Sequence, residues 1–367
     1  MAWVSVAPLI GSFLFATLAT WAVRGMARSR GFVDAPGGHK QHERPVALGG
    51  GVAIFGTIAL AMVGAFAVAW GGTRFGWPDG TSPLVRMHAA GILSKWPETA
   101  AILLSATALH VMGLVDDRRP LGPMVKLVVE VGLALVLATG FNIRILDLAV
   151  FPPGVSVVLT IVWIVGITNA FNFLDNMDGL SAGVAAITGS VFATAAFMSG
   201  QVFVPALMLV VVGACLGFVL FNTHPATIYM GDSGSLVIGF FMSILIALTN
   251  FYDPSRSATP AGVFLPVVVL AVPLYDVLSV CAYRYRAGDS LIRGDRRHFS
   301  HRLVRRGFSV RAAVLTIYLA TAATSLAAIA LPTADWPVAC CVFAQCLCVV
   351  AMIAVLEHVG GPMDYQT

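Results

Sequence analysis

Along most of this chain, apolar residues run on for about twenty positions and then give way to short polar interruptions. A run of that length crosses a ~30 Å hydrocarbon core as a helix, whereas a membrane strand would alternate apolar and polar positions. Eleven runs are predicted as spans: 2–23, 47–70, 98–115, 122–140, 154–173, 179–199, 202–222, 233–250, 261–283, 309–331 and 334–356. The run from 122 contains Lys126 and Glu130, and only Gly200-Gln201 separates the sixth run from the seventh. The first run lacks a basic leading segment and a cleavage site, so it reads as a retained span and not a signal peptide. The expectation is an all-α fold, a polytopic integral membrane helical bundle of about 11 transmembrane helices. Residues 1–367 would form a single transmembrane domain.

Composition agrees with that pattern. Apolar residues make up 58% and charged residues 11%, well below the roughly 25% charged residues of soluble domains. A net charge of +4 gives no reason to expect nucleic acid as a partner, and membrane lipids are the expected surroundings. The six cysteines, Cys215, Cys281, Cys340, Cys341, Cys346 and Cys348, lie in apolar runs without a CxxC pair, which argues against a zinc or disulfide framework and for thiols buried in the membrane.

The placement of charge is more informative than its sum. Seventeen of the 22 Lys and Arg fall in loops on one side, leaving Arg74, Arg86, Lys95, Arg144 and Arg256 on the other. The richer side is expected to be cytoplasmic, with the N-terminus outside and the C-terminus inside. On that side lie loops 24–46, 116–121, 173–178, 223–232 and 284–308, which together would form an active-site face. A channel needs polar groups through the bilayer depth, and an alternating-access transporter places its site near the midplane. A one-sided site suits an enzyme that joins a soluble cytoplasmic substrate to a lipid-borne one. A nucleotide-sugar or lipid-phosphate transporter and a catalytically dead scaffold are the rival classes.

Four polar stretches and a glycine run carry the candidate chemistry. NAFNFLDNMDGL, residues 169–180, packs three Asn and two Asp between apolar runs, and such groups mark function unless paired. Asn169, Asn172 and Asn176 share one helical face, while Asp178 falls opposite Asn169. Either the helix ends before Gly179 or the two ends serve different ligands. Asn and Asp oxygens suit a small divalent cation.

In GLVDDRRPLG, residues 113–122, Asp116 and Asp117 point about 100° apart, so one can serve a metal or proton while the other holds backbone or Arg. Lys126 and Glu130 are spaced to pair with each other, and Lys126 also suits a lipid phosphate. FNTHPATIYMGDSGS, residues 221–235, would put Asp232 in a glycine turn at a helix start, a favourable place for phosphate with its metal. In RGDRRHFSHRL, residues 293–303, His298 and His301 stand among arginines, which suits diphosphate oxygens better than a metal. Gly49-Gly50-Gly51 lets backbone approach a ligand or another helix closely.

Taken together and in order, these motifs resemble the polyprenyl-phosphate N-acetylhexosamine-1-phosphate transferases, from about residue 30 to residue 305. The resemblance implies transfer of a sugar 1-phosphate from a UDP-N-acetylhexosamine to undecaprenyl phosphate, with release of UMP and use of Mg²⁺, Mn²⁺ being the alternative ion. It implies Asp116 and Asp117 as catalytic carboxylates and Asn172, Asp232 and Asp175 as metal-site residues. Lys126 and Asn169 would meet the lipid phosphate. Asp178, His298, His301, Arg302 and Gly50 would serve the nucleotide-sugar.

The chain departs from the family pattern at Asn176, Ser300 and Ala47-Leu48. Ser300 in place of a third His favours the branch that uses UDP-N-acetylglucosamine over the phospho-MurNAc-pentapeptide transferases of peptidoglycan synthesis, which stand as the alternative. The implied location is the bacterial inner membrane, with the site facing the cytoplasm and the reaction a first membrane step of cell-envelope glycan synthesis. Oligomeric state, a homodimer included, is left open.

Overall fold

The computed structural model describes residues 2–34, 45–145, 152–253, 255, 257–289 and 298–358. Arg293, Arg296 and Arg297 of the basic loop lie outside the described residues, as does most of the segment before the glycine run.

Every predicted span has a helix. In order these are α1 (Ala2–Ser29), α2 (Gly50–Phe75), α3 (Pro83–Ser94), α4 (Trp96–Asp116), α5 (Pro123–Gly140), α6 (Pro153–Leu174), α7 (Leu180–Met198) and α8 (Phe203–Asn222). Then follow α9 (Asp232–Ala247), α10 (Leu265–Val269), α11 (Ala271–Ala287), α12 (Phe299–Arg305), α13 (Val310–Ala328) and α14 (Trp336–His358). Among the described residues, nine helices are long and apolar enough to cross a membrane by themselves.

Three elements differ from the predicted pattern. The run 261–283 is broken: Pro260–Val269 and Ala271–Ala287 meet at a 64° bend. Pro266 and Pro273 straddle the break, and each removes a backbone donor that a continuous helix would use. The run from 233 gives a helix of only 16 residues, α9, about 24 Å long. It is apolar on all sides because it stands in the centre of the bundle, packed by α2, α4, α6, α7 and α8. The short α3 has no counterpart among the predicted runs.

The junction at Gly200-Gln201 and the charge-bearing run from 122 both follow the sequence. α7 stops at Met198 before Gly200, whose φ of +80° ends the helix, and α5 forms despite Lys126 and Glu130. Exposed Leu18, Leu104, Val128 and Leu347 give the outer helices an apolar surface suited to lipid.

An apolar cavity of about 580 Å³ lies among α1, α2, α3 and α8, with Phe15, Leu60, Phe66 and Leu207 in its wall. Thr99 also lines it, and about 25 Å of α4 separates that residue from Asp116. The cavity is therefore remote from the polar cluster.

Candidate active site

The C-terminal ends of α4 and α6 meet the N-terminal ends of α5 and α9, and Asp232 is the residue on which they converge. Asp232 opens α9 directly after Gly231. Its Oδ2 lies 2.7 Å from Lys126 Nζ of α5, and its Oδ1 accepts from Asn172 Nδ2 of α6 at 3.0 Å. Asn172 Nδ2 also donates to Ser235 Oγ at 2.9 Å. The adjacent carboxylates separate as their helical angle requires. Asp116 Oδ2 receives Lys126 Nζ at 3.2 Å and its Oδ1 accepts Leu121 N at 2.8 Å. Asp117 turns to α9, taking Asp232 N at 2.8 Å and Ser233 N at 3.4 Å. It therefore caps the orphan amides of that helix start.

The turn leaves no room for a side chain at Gly231. Its φ is +71°, and a Cβ there would stand 2.5 Å from Asp117 Oδ2. Burial pushes the Asp117 carboxyl up to about 6, against hydrogen bonds from Ser233 and Asp232 that favour its ionised form. Asp175, in the cap after α6, is held well above the ordinary carboxylate range by burial and then by the Asp232, Asp117 and Asp178 charges around it. A cluster of acids that resists ionisation gains from any cation placed among them.

Among the described residues, no three His, Cys, Asp or Glu side chains gather as a ready metal cage. Mg²⁺ does not need one, since it is commonly held by one or two carboxylates together with waters and substrate phosphates. Asp116 and Asp232 supply two carboxylates, and an ammonium already sits between them. The donor set and the stand-in cation fit a small hard ion. Asn172 is hydrogen-bonded to one of those carboxylates, and Asp175 shares its field.

The remaining residues singled out in the sequence divide into those that border this cluster and those that serve the bundle. α6 does end at Leu174, and Gly179, at φ +78°, starts α7. Asp178 is thus turned away from the Asn face: its Oδ2 meets His224 Nδ1 at 2.7 Å and Ala226 N at 3.0 Å. Asn169 donates to the Glu130 carboxylate and to Val165 O at 2.9 Å. Glu130 therefore pairs with Asn169, and Lys126 pairs with Asp116 and Asp232; the Lys126–Glu130 pair that their spacing allows is not formed.

His298 is buried, with Nδ1 2.9 Å from Asp276 Oδ2 and its ring edge-on to Phe173 beside Asn172. His301 lies on α12, partly buried. Arg302 is fully buried, donating to Ser279 Oγ at 2.6 Å and to Glu357 Oε1 at 2.9 Å beside the Tyr283 ring. That placement ties the loop to α11 and α14 and gives no support to a donor contact. Gly50 serves packing: a Cβ there would collide with the Phe218 ring, and its amide donates to Tyr229 O at 2.9 Å.

Asn176 and Ser300, two positions where the family pattern breaks, turn out to be partners. Ser300 Oγ donates to Asn176 Oδ1 at 2.6 Å. The pair joins the basic loop to the end of α6.

Sequence reasoning missed His110, Asp276 and Asn222. His110 Nδ1 lies 2.8 Å from Ser233 O, and its ring stacks on Phe55. Asn222 Oδ1 accepts Gly179 N at 2.8 Å. Asp276 accepts Phe299 N at 2.6 Å as well as facing His298. A signal was present: Asp276 is the only acid in the run 261–283, and a lone charge in an apolar span is seldom idle.

A family model described as "Glycosyl transferase family 4" matches residues 99–250, which include both carboxylate motifs and the Asn stretch. The chain is 33% identical over 335 residues to the Bacillus subtilis protein named "Probable undecaprenyl-phosphate N-acetylglucosaminyl 1-phosphate transferase", covering 90% of this chain and 85% of that one. It is 35% identical to the decaprenyl-phosphate N-acetylglucosaminephosphotransferase of Mycobacterium tuberculosis H37Rv, over 82% and 76% of the two chains. To the undecaprenyl-phosphate alpha-N-acetylglucosaminyl 1-phosphate transferase of Escherichia coli K12 the identity is 25%, over 86% and 80%. On these matches the chain belongs to glycosyl transferase family 4.

Proposed function

We propose that this membrane phosphotransferase moves N-acetylglucosamine 1-phosphate from UDP-N-acetylglucosamine to undecaprenyl phosphate, releasing UMP, with Mg²⁺ as cofactor. The observation that carries the reading is the convergence of Lys126, Asp116, Asn172 and the Asp117-capped Asp232 turn at one end of the bundle. Relatives named for this transfer to polyprenyl phosphates support it. The site faces the cytoplasm of a bacterial inner membrane, a placement supported by the seventeen-to-five distribution of basic residues.

The lipid phosphate oxygen attacks the donor's β-phosphorus, the bond from that phosphorus to the bridging oxygen breaks, and UMP departs with that oxygen. Such transfer depends on positioning and charge neutralisation more than on covalent participation by the protein. Asp232 and Asp116, with Asn172 and Asp175 beside them, would hold Mg²⁺, which would supply charge neutralisation for the diphosphate. Lys126 offsets phosphate charge from the α5 side. Asp117 fixes the turn that presents Asp232, and a lipid monophosphate, largely ionised near neutral pH, reacts without a dedicated base. Asp178, set apart from the Asn face, serves the nucleotide base. His298, packed on Phe173 beside Asn172, borders the donor.

Purified protein with undecaprenyl phosphate, Mg²⁺ and a panel of UDP-sugars tests the reading by UMP release. UMP is expected with UDP-N-acetylglucosamine and only when the lipid phosphate is present. Release with the UDP-MurNAc-pentapeptide alone would reassign the branch, and no release with any donor would refute the reaction.

A further inference from the structure

Among the described residues, Glu130 is the acid near the cluster whose carboxylate is half used. It lies on α5, one turn beyond Lys126, and is 2% exposed. One oxygen accepts from Asn169 Nδ2, while Oε1 is buried with no hydrogen-bond partner. An orphan acceptor of that kind is costly, and a native structure keeps one where some other state satisfies it. Four residues back on the same helical face, Lys126 holds its ammonium between Asp116 Oδ2 and Asp232 Oδ2, at 3.2 and 2.7 Å. That is where a divalent cation bridging the two carboxylates would have to stand. Two cations cannot share the position, and a lysine stem is flexible enough to leave it.

We infer that Glu130 is the docking carboxylate for Lys126 when a divalent cation enters between Asp116 and Asp232. At spacing i to i+4 the two side chains are neighbours on the helix surface, so the exchange needs only rotamer changes in Lys126. The ammonium then satisfies Oε1 and moves one turn deeper along α5, toward the apolar body of the span that a lipid substrate would line. Asn169 keeps Glu130 facing the cluster while this happens. Lys126 is thus a stand-in for the metal before the ion enters and a phosphate-side cation afterwards, with Glu130 as a positioning residue for the change.

The inference rests on the cation reading of the proposed function, and the test separates the two. Mn²⁺ binding to the purified full-length protein is titrated by electron paramagnetic resonance for wild type, E130Q, K126M and the double variant. E130Q retains an acceptor for Asn169 but offers Lys126 no charge. It should weaken Mn²⁺ about tenfold, whereas K126M, freed of the competing ammonium, should bind at least as tightly as wild type. In the K126M background E130Q should have almost no further effect. Equal weakening in both backgrounds, or none in either, would overturn the exchange while leaving the metal site standing. Absence of saturable Mn²⁺ binding in folded wild type would overturn the cation reading and the exchange with it.

Discussion

Lys126 and Asp232, 106 residues apart in sequence, meet at 2.7 Å where the start of α5 faces the start of α9. Neither is fully buried, their side chains being 22% and 24% exposed, so the pair stands at an opening and not inside the packed core. Each neighbour acts on it differently. Asp116 shares the ammonium, Asn172 steadies the carboxylate and Asp117 holds the backbone beneath it.

Asp117 should trade stability for geometry. Its carboxyl is raised to about 6 in the folded chain from an ordinary value of 3.8, with burial as the leading cause. A raised value means that the stability this group contributes is full below about pH 4 and is lost as pH rises through 6. D117N, which removes the buried charge, should gain up to about 3 kcal/mol at pH 8 relative to wild type, with the gain vanishing near pH 4. Thermal unfolding of the metal-free protein across that range measures it, and a gain independent of pH would refute the assignment. Activity should still fall, because Asn cannot accept both amides.

Gly231 should tolerate no side chain. G231A places a methyl against the Asp117 carboxylate at a positive φ, which costs on the order of 1–2 kcal/mol before any clash is relieved. The expected outcome is a folded bundle with at least about tenfold lower kcat, since the displaced turn carries Asp232. Wild-type kcat would contradict the tight fit.

Asp178 should affect donor binding more than turnover. D178A removes the acceptor for Ala226 N and His224 and should raise KM for the UDP-sugar about tenfold, with kcat changed far less. Initial-rate kinetics at saturating lipid phosphate provide the check. An equal loss in both parameters would place Asp178 in the chemistry instead.

Arg302 and Glu357 should report on stability. Both side chains are fully buried, so E357A leaves an uncompensated charge and should cost about 3–5 kcal/mol. Reduced thermal stability, with an unchanged KM for donor in the folded fraction, is the expected pattern. A raised KM without loss of stability would restore Arg302 to the donor site.

Much of this was legible from residue type and spacing alone. The apolar runs gave the helices, because a span must satisfy its own backbone and advertises itself by length. The 100° step between Asp116 and Asp117 predicted their different duties, and Gly179 marked the break that turns Asp178 away. What spacing could not give was pairing across the bundle. Lys126 and Glu130 look matched at i,i+4, yet tertiary packing gives Lys126 two better-placed acids and leaves Glu130 to Asn169. Arg302 beside two histidines looks like a ligand residue; only the fold shows Glu357, 55 positions later, buried against it. The bend after Val269 was written in Pro266 and Pro273, but hydropathy averages across such a break.

The most direct measurement is GlcNAc-1-phosphate transfer by D232N at saturating Mg²⁺ and both substrates. Asp232 joins Lys126, Asn172 and the capped turn, so its loss should lower turnover by at least about 100-fold in a protein that remains folded and monodisperse. Turnover within a few-fold of wild type would contradict the placement of the reaction at this convergence.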